Sequence, residues 1–321
     1  MRILVTGGAG YIGSTAAAIL LERGYEVTVL DDCSTGHASA VPSAAKFIQG
    51  SILDPQIVTD ALTGCEVVIH FAAKSLVGES VEKPDLYFDV NVNGTENLLT
   101  QMSALKITKL VFSSTAATYG EPEVIPITEE ATTKPTSPYG STKLSVDQMI
   151  SKECESGLGA ISLRYFNVAG AFQSANGWLA ERHKPETHLI PNVLRATESK
   201  PLKVFGNDWP TQDGTPIRDY VHVVDLIDAH ILAIKALTPG AHKIINLGSG
   251  GGYSVSQVIK AAAKALGREI PIEISSRRAG DPTILIADIS KAEKVLGWKP
   301  TRDINGMVSD AWEAISADAR K

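Results

Sequence analysis

A tyrosine and a lysine four residues apart could carry acid–base chemistry. Tyr139 and Lys143 enclose the segment YGSTK, and on a helix this spacing places both side chains on one face. A phenol with a pKa of about 10 is a poor base at neutral pH. A nearby ammonium stabilises the phenolate and lowers that pKa, so the pair could remove a proton from a hydroxyl group. The same pattern also describes a surface tyrosine beside a solvated lysine.

A cluster of hydroxyl residues precedes this pair in the sequence. Ser113, Ser114 and Thr115 end an apolar segment of strand character. They could present a hydroxyl close to the atom on which Tyr139 would act. The cluster therefore strengthens the interpretation that Tyr139 and Lys143 carry acid–base chemistry.

A glycine-rich segment near the N-terminus predicts a dinucleotide site. Gly7, Gly10 and Gly13 separate an apolar strand from a helix of small and aliphatic residues. Glycines there allow a tight turn, let backbone amides approach a pyrophosphate at the helix N-terminus, and let helix and strand pack closely. A plain turn is the alternative for such a segment taken alone.

Two acidic residues favour the dinucleotide over the plain turn. The second apolar strand ends in Asp31 and Asp32, at the distance where a carboxylate would accept hydrogen bonds from an adenosine ribose. A carboxylate would repel a 2′-phosphate, and no arginine stands beside it. We therefore expect NAD rather than NADP.

Alternating apolar and helical segments predict the elements that position these residues. We expect a doubly wound α/β fold of Rossmann type, in which helices cover both faces of a parallel sheet and ligands bind at the carboxyl ends of its strands. The predicted strands are 2–6, 26–31, 46–49, 67–71, 110–113 and 160–165, and the predicted helices are 11–23, 55–62, 84–104 and 141–155.

The chain changes character after about residue 172, where longer loops and many turn-forming residues appear. We expect a NAD-binding domain at 1–171 and a smaller α/β substrate domain at 172–321, with some segments of the latter returning to the first. Predicted elements there are helices 224–237, 254–266 and 305–315 and a strand at 243–247.

Composition excludes several classes of protein. The 321 residues are 44% hydrophobic, enough for a large core, and the net charge of −6 carries no basic stripe for nucleic acid or a membrane surface. No leader or transmembrane-length apolar segment is visible, so we expect a cytoplasmic protein. The three cysteines, Cys33, Cys65 and Cys154, form no CxxC pair. Neither a disulfide framework nor a metal site is therefore expected.

These residues together resemble the extended short-chain dehydrogenase/reductases and, within them, the UDP-galactose (UDP-glucose) 4-epimerases. The resemblance covers nearly the whole chain, and the order and spacing of its motifs make it specific. The motifs are TGGAGYIG at 6–13, HFAAKSLVGES at 70–80, NVNGT at 91–95, SSTAATYG at 113–120, SPYGSTK at 137–143, LRYFNVAGA at 163–171, FGNDWPTQDGTPIRDYVHV at 205–223 and RRAGD at 277–281.

The resemblance implies a catalytic set of Thr115, Tyr139 and Lys143 and a resident NAD. Tyr139 would take the proton of the sugar 4-hydroxyl while the C4 hydride passes to NAD, and the 4-keto sugar would turn its other face before the hydride returns. The residues implied at the cofactor are Gly7, Gly10, Tyr11, Ile12, Gly13, Asp31, Asp32, Ser51, Ile52, Phe71, Ala72, Ala73, Asn91, Ser113, Tyr139, Lys143 and Phe166.

The resemblance also implies a UDP-sugar as substrate and a homodimer formed through helices 84–104 and 141–155. Two arginines would contact the diphosphate, and an aspartate the uridine ribose. The residues implied at the substrate are Ser75, Thr115, Tyr139, Asn167, Leu189, Phe205, Arg218, Tyr220, Arg278, Asp281 and Leu285.

Three positions depart from the family pattern. Ser51 stands where an aspartate usually takes the adenine amino group, and Ser75 where some bacterial members have a lysine, with Lys74 one residue earlier. Leu285 stands where a bulky tyrosine restricts the sugar pocket in other members. The shorter leucine suggests that N-acetylated sugars could enter.

Other functions remain open at this point. Nucleotide-sugar dehydratases carry an Asp-Glu pair after the threonine, whereas this chain has Ala116 and Ala117, which disfavours dehydration. Epimerases of UDP-glucuronate or UDP-pentoses share the same core chemistry. A non-catalytic NAD-binding regulator would lack the tyrosine and lysine, and both are present.

Overall fold

Strands and helices alternate along the first half of the chain, as the apolar segments predict. The computed structural model describes residues 1–183, 185–278 and 281–319, so Ala279 and Gly280 of the RRAGD motif and the last two residues of the predicted second domain lie outside the described residues. The strands are β1 (Arg2–Thr6), β2 (Glu26–Asp31), β3 (Lys46–Gln49), β4 (Val67–His70), β5 (Lys109–Thr115), β6 (Gly159–Tyr165), β7 (Asn167–Ala169), β8 (Ala171–Ser174), β9 (Gly177–Ala180), β10 (Leu202–Phe205), β11 (Ile217–Arg218), β12 (Tyr220–His222), β13 (His242–Leu247), β14 (Tyr253–Ser254), β15 (Ile272–Ser275) and β16 (Ile284–Leu285). The helices are α1 (Tyr11–Glu22), α2 (Pro55–Leu62), α3 (Val77–Glu82), α4 (Pro84–Phe88), α5 (Gly94–Ala104), α6 (Pro138–Cys154), α7 (Leu189–Leu194), α8 (Val223–Ala236), α9 (Val255–Leu266), α10 (Ser290–Leu296) and α11 (Ile304–Asp318).

A parallel sheet of seven described strands forms the centre of the molecule. Its order is β13-β6-β5-β4-β1-β2-β3, and every neighbouring pair is parallel. The chain runs from β1 outward through β2 to β3 and then returns to the other side of β1 at β4. A crevice forms where the strand order reverses, at the carboxyl ends of β1 and β4. The predicted doubly wound Rossmann-type sheet is confirmed.

Side chains of the central strand pack into two apolar cores, one on each face of the sheet. Successive residues of a strand point to opposite faces. Ile3 and Val5 accordingly lie in the core that contains α1 and α8, whereas Leu4 lies in the core that contains α2, α5 and α6. All three side chains are fully buried. The two-sided burial explains why the centre of β1, residues 3–5, is continuously apolar rather than alternating.

Two helices differ from their predicted bounds. The segment predicted as one helix at 84–104 is divided by a π-helical turn at Asp89–Asn93 between α4 and α5. The predicted start of the next helix at residue 141 is wrong, since α6 begins at Pro138. The Ser137 side chain caps it by accepting from the backbone N–H of Gly140, and proline fits the first helical position because its missing N–H has no partner there. Among the described residues, no helix has the length and apolar character that crossing a membrane requires.

The second half of the chain builds a smaller α/β part and also returns to the sheet. Helices α7, α9 and α11 share a third apolar core with Leu202 and Val204 of β10, which pairs with β15. In contrast, β13 joins the main sheet beside β6, and α8 packs against α1. The division at residue 171 stays a prediction.

Candidate functional site

A cavity opens at the carboxyl ends of β1, β2, β4, β5 and β6, where the reversed strand order predicts a ligand. Most residues that the sequence indicates for the cofactor and the chemistry line this one space. They are Gly7, Gly10, Tyr11, Ile12, Gly13, Asp31, Asp32, Ile52, Phe71, Ala72, Ala73, Ser75, Ser113, Thr115, Tyr139, Lys143, Phe166 and Asn167.

The glycine loop between β1 and α1 forms one wall of the cavity. Gly7 has a φ of +72°, which favours glycine. A Cβ on Gly13 would lie 2.1 Å from the carbonyl oxygen of Gly7, so a side chain there would push the helix away from the loop. Gly10 caps α1 without a side-chain hydrogen bond, which leaves backbone amides of the first turn available. The loop therefore fits the pyrophosphate of a dinucleotide.

The two aspartates at the end of β2 form the adjoining wall. Asp31 is buried, and its two carboxylate oxygens accept from the backbone N–H groups of Ala9, at 2.9 Å, and Cys33, at 2.7 Å. Burial raises the pKa of Asp31, and these two hydrogen bonds act in the opposite direction. Asp32 is exposed and accepts from the backbone N–H of Ser34. Each carboxylate oxygen keeps a further lone pair, so both groups can accept from a ribose hydroxyl.

Thr115, Tyr139 and Lys143 meet at the other end of the cavity. Thr115 ends β5, and both Tyr139 and Lys143 lie in the first two turns of α6, one turn apart. Lys143 is buried, and its Nζ donates to the carbonyl oxygen of Ser113 at 2.8 Å. The helix cap at Ser137 fixes where this face of α6 begins. The structure thus brings the hydroxyl cluster and the tyrosine–lysine pair together. In the sequence, Thr115 and Tyr139 are 24 residues apart.

The protein alone keeps the phenol of Tyr139 protonated at neutral pH. Burial raises the pKa of Tyr139, and the hydrogen bond with Thr115 only partly opposes this effect. Burial also lowers the pKa of Lys143 to about 8, although the Asp147 carboxylate acts in the opposite direction. A positive charge brought by a bound cofactor would lower the pKa of the phenol further. The site is thus suited to acting as a base when that charge is present.

A buried ion pair anchors α6 to the sheet one turn beyond Lys143. Asp147 on α6 accepts from Arg164 on β6, with Nη2 at 2.8 Å and Nε at 3.1 Å, and both side chains are almost fully buried. Ser114 on β5 donates to the same carboxylate oxygen. The guanidinium also lies over the ring of Tyr119, with 4.9 Å to its centroid. This network fixes the distance between α6 and strands β5 and β6.

Two predicted cofactor residues do not line the cavity. The Ser51 hydroxyl accepts from the backbone N–H of Leu53. Asn91 is buried in the π-helical turn and exchanges hydrogen bonds with the backbone of Lys74, and it also donates to Thr142 on α6. Asn91 therefore ties the cavity segment Ala72–Ser75 to the helix that carries Lys143. The ammonium of Lys74 lies 2.9 Å from the Ser34 hydroxyl, on the side of the cavity near Asp31.

A second cluster collects most residues predicted at the nucleotide of the substrate. Arg278 lies over the ring of Phe205 at 3.8 Å from the centroid, and Arg218 lies 3.9 Å from Asp281. Leu285 pairs with Arg218 between β16 and β11. An arginine stacked on an aromatic ring and a second arginine beside a carboxylate can together hold a base, a phosphate and a ribose.

A smaller apolar cavity adjoins the large one. Leu189 and Tyr220 line it, and it shares Tyr11, Asn167 and His188 with the large cavity. Tyr220 pairs with Asn167 between β12 and β7, and the Asn167 side chain donates to the carbonyl oxygen of Asp219. Of the predicted substrate residues, six line one of the two cavities: Ser75, Thr115, Tyr139, Asn167, Leu189 and Tyr220. The other five line neither: Phe205, Arg218, Arg278, Asp281 and Leu285.

Sequence reasoning missed several residues of the large cavity. The loop after β2, the π-helical turn, the end of β6 and the segment after β9 all contribute to it. Tyr165 could have been identified as a cavity residue because it stands at the carboxyl end of a predicted strand. Its hydroxyl is hydrogen-bonded to that of Ser113. The missed residues are Leu30, Ser34, Thr35, Gly36, Gly50, Val90, Tyr165, Val168, Glu181, His183 and His188.

Comparison with known proteins gives consistent results. The family model described as NAD dependent epimerase/dehydratase family matches residues 3–248. UDP-glucose 4-epimerase of Corynebacterium glutamicum is 52% identical over 99% of this chain and 96% of its own length. A solved structure of a UDP-glucose 4-epimerase is 43% identical over 99% of this chain and 98% of its own, with a TM-score of 0.94. That of UDP-glucose-4-epimerase from Stenotrophomonas maltophila, with bound NAD and formylated UDP-arabinopyranose, is 37% identical over 100% of this chain and 99% of its own, with the same TM-score.

The family match covers the Rossmann-type sheet from the second residue of β1 to the end of β13, and the residues at its carboxyl edge that fit NAD. The relatives extend the similarity over the remaining part of the chain. The chain therefore belongs to the NAD dependent epimerase/dehydratase family.

Proposed function

We propose that this protein is an NAD-dependent isomerase that interconverts UDP-glucose and UDP-galactose at C4 of the sugar. The observation that carries the proposal is the single cavity with the glycine loop and Asp31 at one end and Thr115, Tyr139 and Lys143 at the other. The similar proteins named UDP-glucose 4-epimerase support this choice of substrate.

In this function, Tyr139 is the residue that moves a proton. Its Oη would take the proton of the sugar 4-hydroxyl and later return it, and Thr115 would hold the same oxygen by a hydrogen bond. Bound NAD supplies a reversible acceptor for the hydrogen on C4. Lys143 would stabilise the phenolate with its positive charge, held in place by the carbonyl of Ser113. The contribution of the protein is thus orientation and electrostatics.

The residues after Thr115 argue against dehydration. A dehydratase must move further protons at C5 and C6 and needs an acid and a base there. Ala116 and Ala117 instead form the start of a short 3₁₀ turn, and neither carries an ionisable group. Epimerisation, which returns the same proton and hydrogen, needs only the residues present.

The range of sugars belongs to the proposal as well. We infer that N-acetylated UDP-sugars enter the pocket, because Leu285 is shorter than the tyrosine of restricted family members. UDP-glucuronate and UDP-pentoses are the alternative substrates, since they would use the same proton transfer. The match to a structure that holds formylated UDP-arabinopyranose is the specific reason to test a pentose.

One assay tests these substrates together. Purified protein without added NAD is offered UDP-galactose, UDP-N-acetylgalactosamine, UDP-galacturonate and UDP-arabinopyranose in parallel, and the products are separated. We expect UDP-glucose from the first and UDP-N-acetylglucosamine from the second, with no cofactor requirement. Exclusive turnover of the uronate or the pentose would replace the proposed substrate. Absence of N-acetyl turnover that appears in Leu285→Ala would show that leucine already closes the pocket.

The same proposal includes a cytoplasmic location and a homodimer. Support for the dimer comes from α3 and α4, which expose apolar side chains at Val77, Val81, Leu86 and Phe88 beside α6. An exposed apolar patch of this kind is typical of a protein–protein interface.

A further inference from the structure

A carboxylate and two imidazoles converge at the rim of the large cavity, outside the residues that the proposed reaction uses. Glu181 and His183 follow β9, and His188 caps the start of α7. One side-chain ligand atom from each of the three lies within 4.8 Å of the others, and all three side chains are half-buried. Two of these residues, Glu181 and His183, also line a small neighbouring cavity with Gly10 and Tyr11 of the cofactor loop.

A second carboxylate orients one of the imidazoles. Glu186 is nearly buried, and its Oε1 lies 2.8 Å from Nδ1 of His188. This contact occupies Nδ1, so Nε2 is the ring nitrogen of His188 that could bind a metal ion. Histidines that bind metals almost always have their other ring nitrogen held by a carboxylate or carbonyl in this way.

The other imidazole has a buried nitrogen that no hydrogen bond satisfies. Nδ1 of His183 lies 2.7 Å from Oε1 of Glu181, but the direction between them makes no hydrogen bond, and Nδ1 has no other partner among the described residues. A buried nitrogen of this kind requires an explanation, and a missing ion is one. The close approach of Glu181 and His183 places two donor atoms where one metal ion could accept both.

We propose that Glu181, His183 and His188 bind a divalent metal ion, with Zn²⁺ as the best match. Two imidazoles and one carboxylate form a donor set that zinc uses when a fourth position stays open. Ligand atoms around tetrahedral zinc lie about 3.4 Å apart. Pairs that are now up to 4.8 Å apart would therefore close by up to about 1.4 Å, and the Glu181–His183 contact at 2.7 Å would open by about 0.7 Å. The open position would face the cavity near Tyr11, where water or a phosphate oxygen of the nucleotide could complete it.

This site departs from the expectation that the protein holds no metal. That expectation rested on the cysteines, and no cysteine is needed here. All three expected ligands come from one segment that also lines the cavity of the cofactor, so the ion would hold this segment in one conformation beside the glycine loop. Anchoring that segment is the role we assign to it.

Protons compete with the metal at this cluster. The neighbouring Glu181 carboxylate raises the pKa of His183. Burial lowers the pKa of His188, but Glu186 and Glu181 more than compensate and raise it overall. A metal needs neutral imidazole, so we expect affinity to fall as the pH drops below neutrality.

Zinc titration distinguishes these possibilities on the whole protein. The protein is treated with chelator, dialysed, and titrated with ZnCl₂ by calorimetry at pH 7.5 and pH 6, and bound metal is then measured by mass spectrometry. We expect one Zn²⁺ per chain at pH 7.5, at least tenfold weaker binding at pH 6, and at least 100-fold weaker binding in His183→Ala and His188→Ala. His37→Ala is the matched control, because His37 lines the neighbouring cavity without belonging to the cluster.

Folding is checked separately from binding. Each variant is compared with the parent by circular dichroism and thermal unfolding in chelator, and Zn²⁺ should raise the Tm of the parent and of His37→Ala only. Unchanged zinc affinity in a folded His183→Ala/His188→Ala double variant, or no stoichiometric binding by the parent, would overturn the proposal. Both readouts are independent of epimerase activity, so they test the metal site whatever sugar the enzyme converts.

Discussion

At the scale of single residues, the phenol of Tyr139 is the group whose removal should affect the reaction most. Tyr139→Phe keeps the ring but removes the proton-transferring hydroxyl, so we expect kcat to fall by about 10²- to 10⁴-fold. Bound NAD and Tm should stay close to those of the parent. Initial rates with UDP-galactose and the absorbance of released cofactor measure both effects.

Tyr87→Phe is the matched control for this substitution. The Tyr87 ring packs edge-on against that of Tyr139, with 6.5 Å between centroids, but its hydroxyl bonds with Leu76 and Glu79 instead of facing the cavity. Its activity should fall only a few-fold. A Tyr139→Phe protein that epimerises as fast as the parent would contradict the assigned mechanism.

Cofactor retention should depend more on Asp31 than on Asp32. Asp31 is buried between the glycine loop and the cavity, whereas Asp32 is exposed. Removing one charged hydrogen bond costs about 1.5–3 kcal/mol, which is roughly 10- to 100-fold in affinity. We expect the affinity for NAD to fall by that factor in Asp31→Asn and by a smaller factor in Asp32→Asn. Fluorescence titration of cofactor-free protein measures the NAD affinity of both variants. If the parent and Asp31→Asn retained equal amounts of NAD after dialysis, Asp31 would not bind the ribose.

At the scale of elements, the ion pair between α6 and β6 should stabilise the active geometry. Asp147→Ala would leave the guanidinium of Arg164 buried without its charge partner, which costs about 3–5 kcal/mol. The double variant Asp147→Leu/Arg164→Met removes both charges and should recover much of this loss. Urea unfolding gives the free energies.

The exposed Asp60 on α2 provides a control for this series, since Asp60→Ala should change stability by less than about 0.5 kcal/mol. If Asp147→Ala were as stable as Asp60→Ala, the pair would not be the anchor of α6. In the double variant, kcat with UDP-galactose also shows whether correct placement of Lys143 requires the charges or only the packing.

Local sequence patterns predicted the elements better than the contacts between them. The sequence predicted strands β1, β2 and β3 with their observed bounds. For β1 and β2 the signal is a mostly apolar run, which is typical of strands buried on both faces, whereas β3 is a partly exposed edge strand with only two apolar residues. The π-helical turn at Asp89–Asn93 carries no such signal. It depends on the hydrogen bonds of Asn91 with Lys74 and Thr142, which lie 17 and 51 residues away in sequence.

The same distinction applies to the site. The sequence could indicate Thr115 and Tyr139 because each stands in a short motif. It could not indicate that Tyr165 meets Ser113, since that contact follows only from the pairing of β5 with β6. The cluster at Glu181 was likewise invisible, because its members lie in the irregular segment between β9 and α7, up to seven residues apart.

At the scale of the whole molecule, the apolar patch on α3 and α4 predicts a dimer. Val81 is 65% exposed and Phe88 52% exposed. Light scattering coupled to size exclusion should give about twice the chain mass of 34.1 kDa. A charge in the interface core would be desolvated, so Val81→Asp and Phe88→Asp should shift the protein to monomer.

Val124→Asp is the control for the dimer, because Val124 is 71% exposed outside helices α3, α4 and α6. It should leave the mass unchanged. A monomeric parent at micromolar concentration, or dimers that survive both interface substitutions, would argue against this surface.

Buried histidines should make the whole fold sensitive to acid. Burial lowers the pKa of His70 to about 3 and that of His230 to about 4. Between these values and the unfolded pKa of about 6.5, the unfolded chain binds more protons than the folded one. The free energy of unfolding therefore has its full value above pH 6.5 and falls as the pH decreases, by about 2 kcal/mol for each histidine between pH 7 and pH 5.

Urea unfolding at pH 7 and pH 5 measures this loss. In His230→Phe the loss should be smaller by about 2 kcal/mol, because phenylalanine cannot take up the proton that His230 binds on unfolding. An equal loss in the variant and the parent would mean that His230 does not contribute to the acid sensitivity.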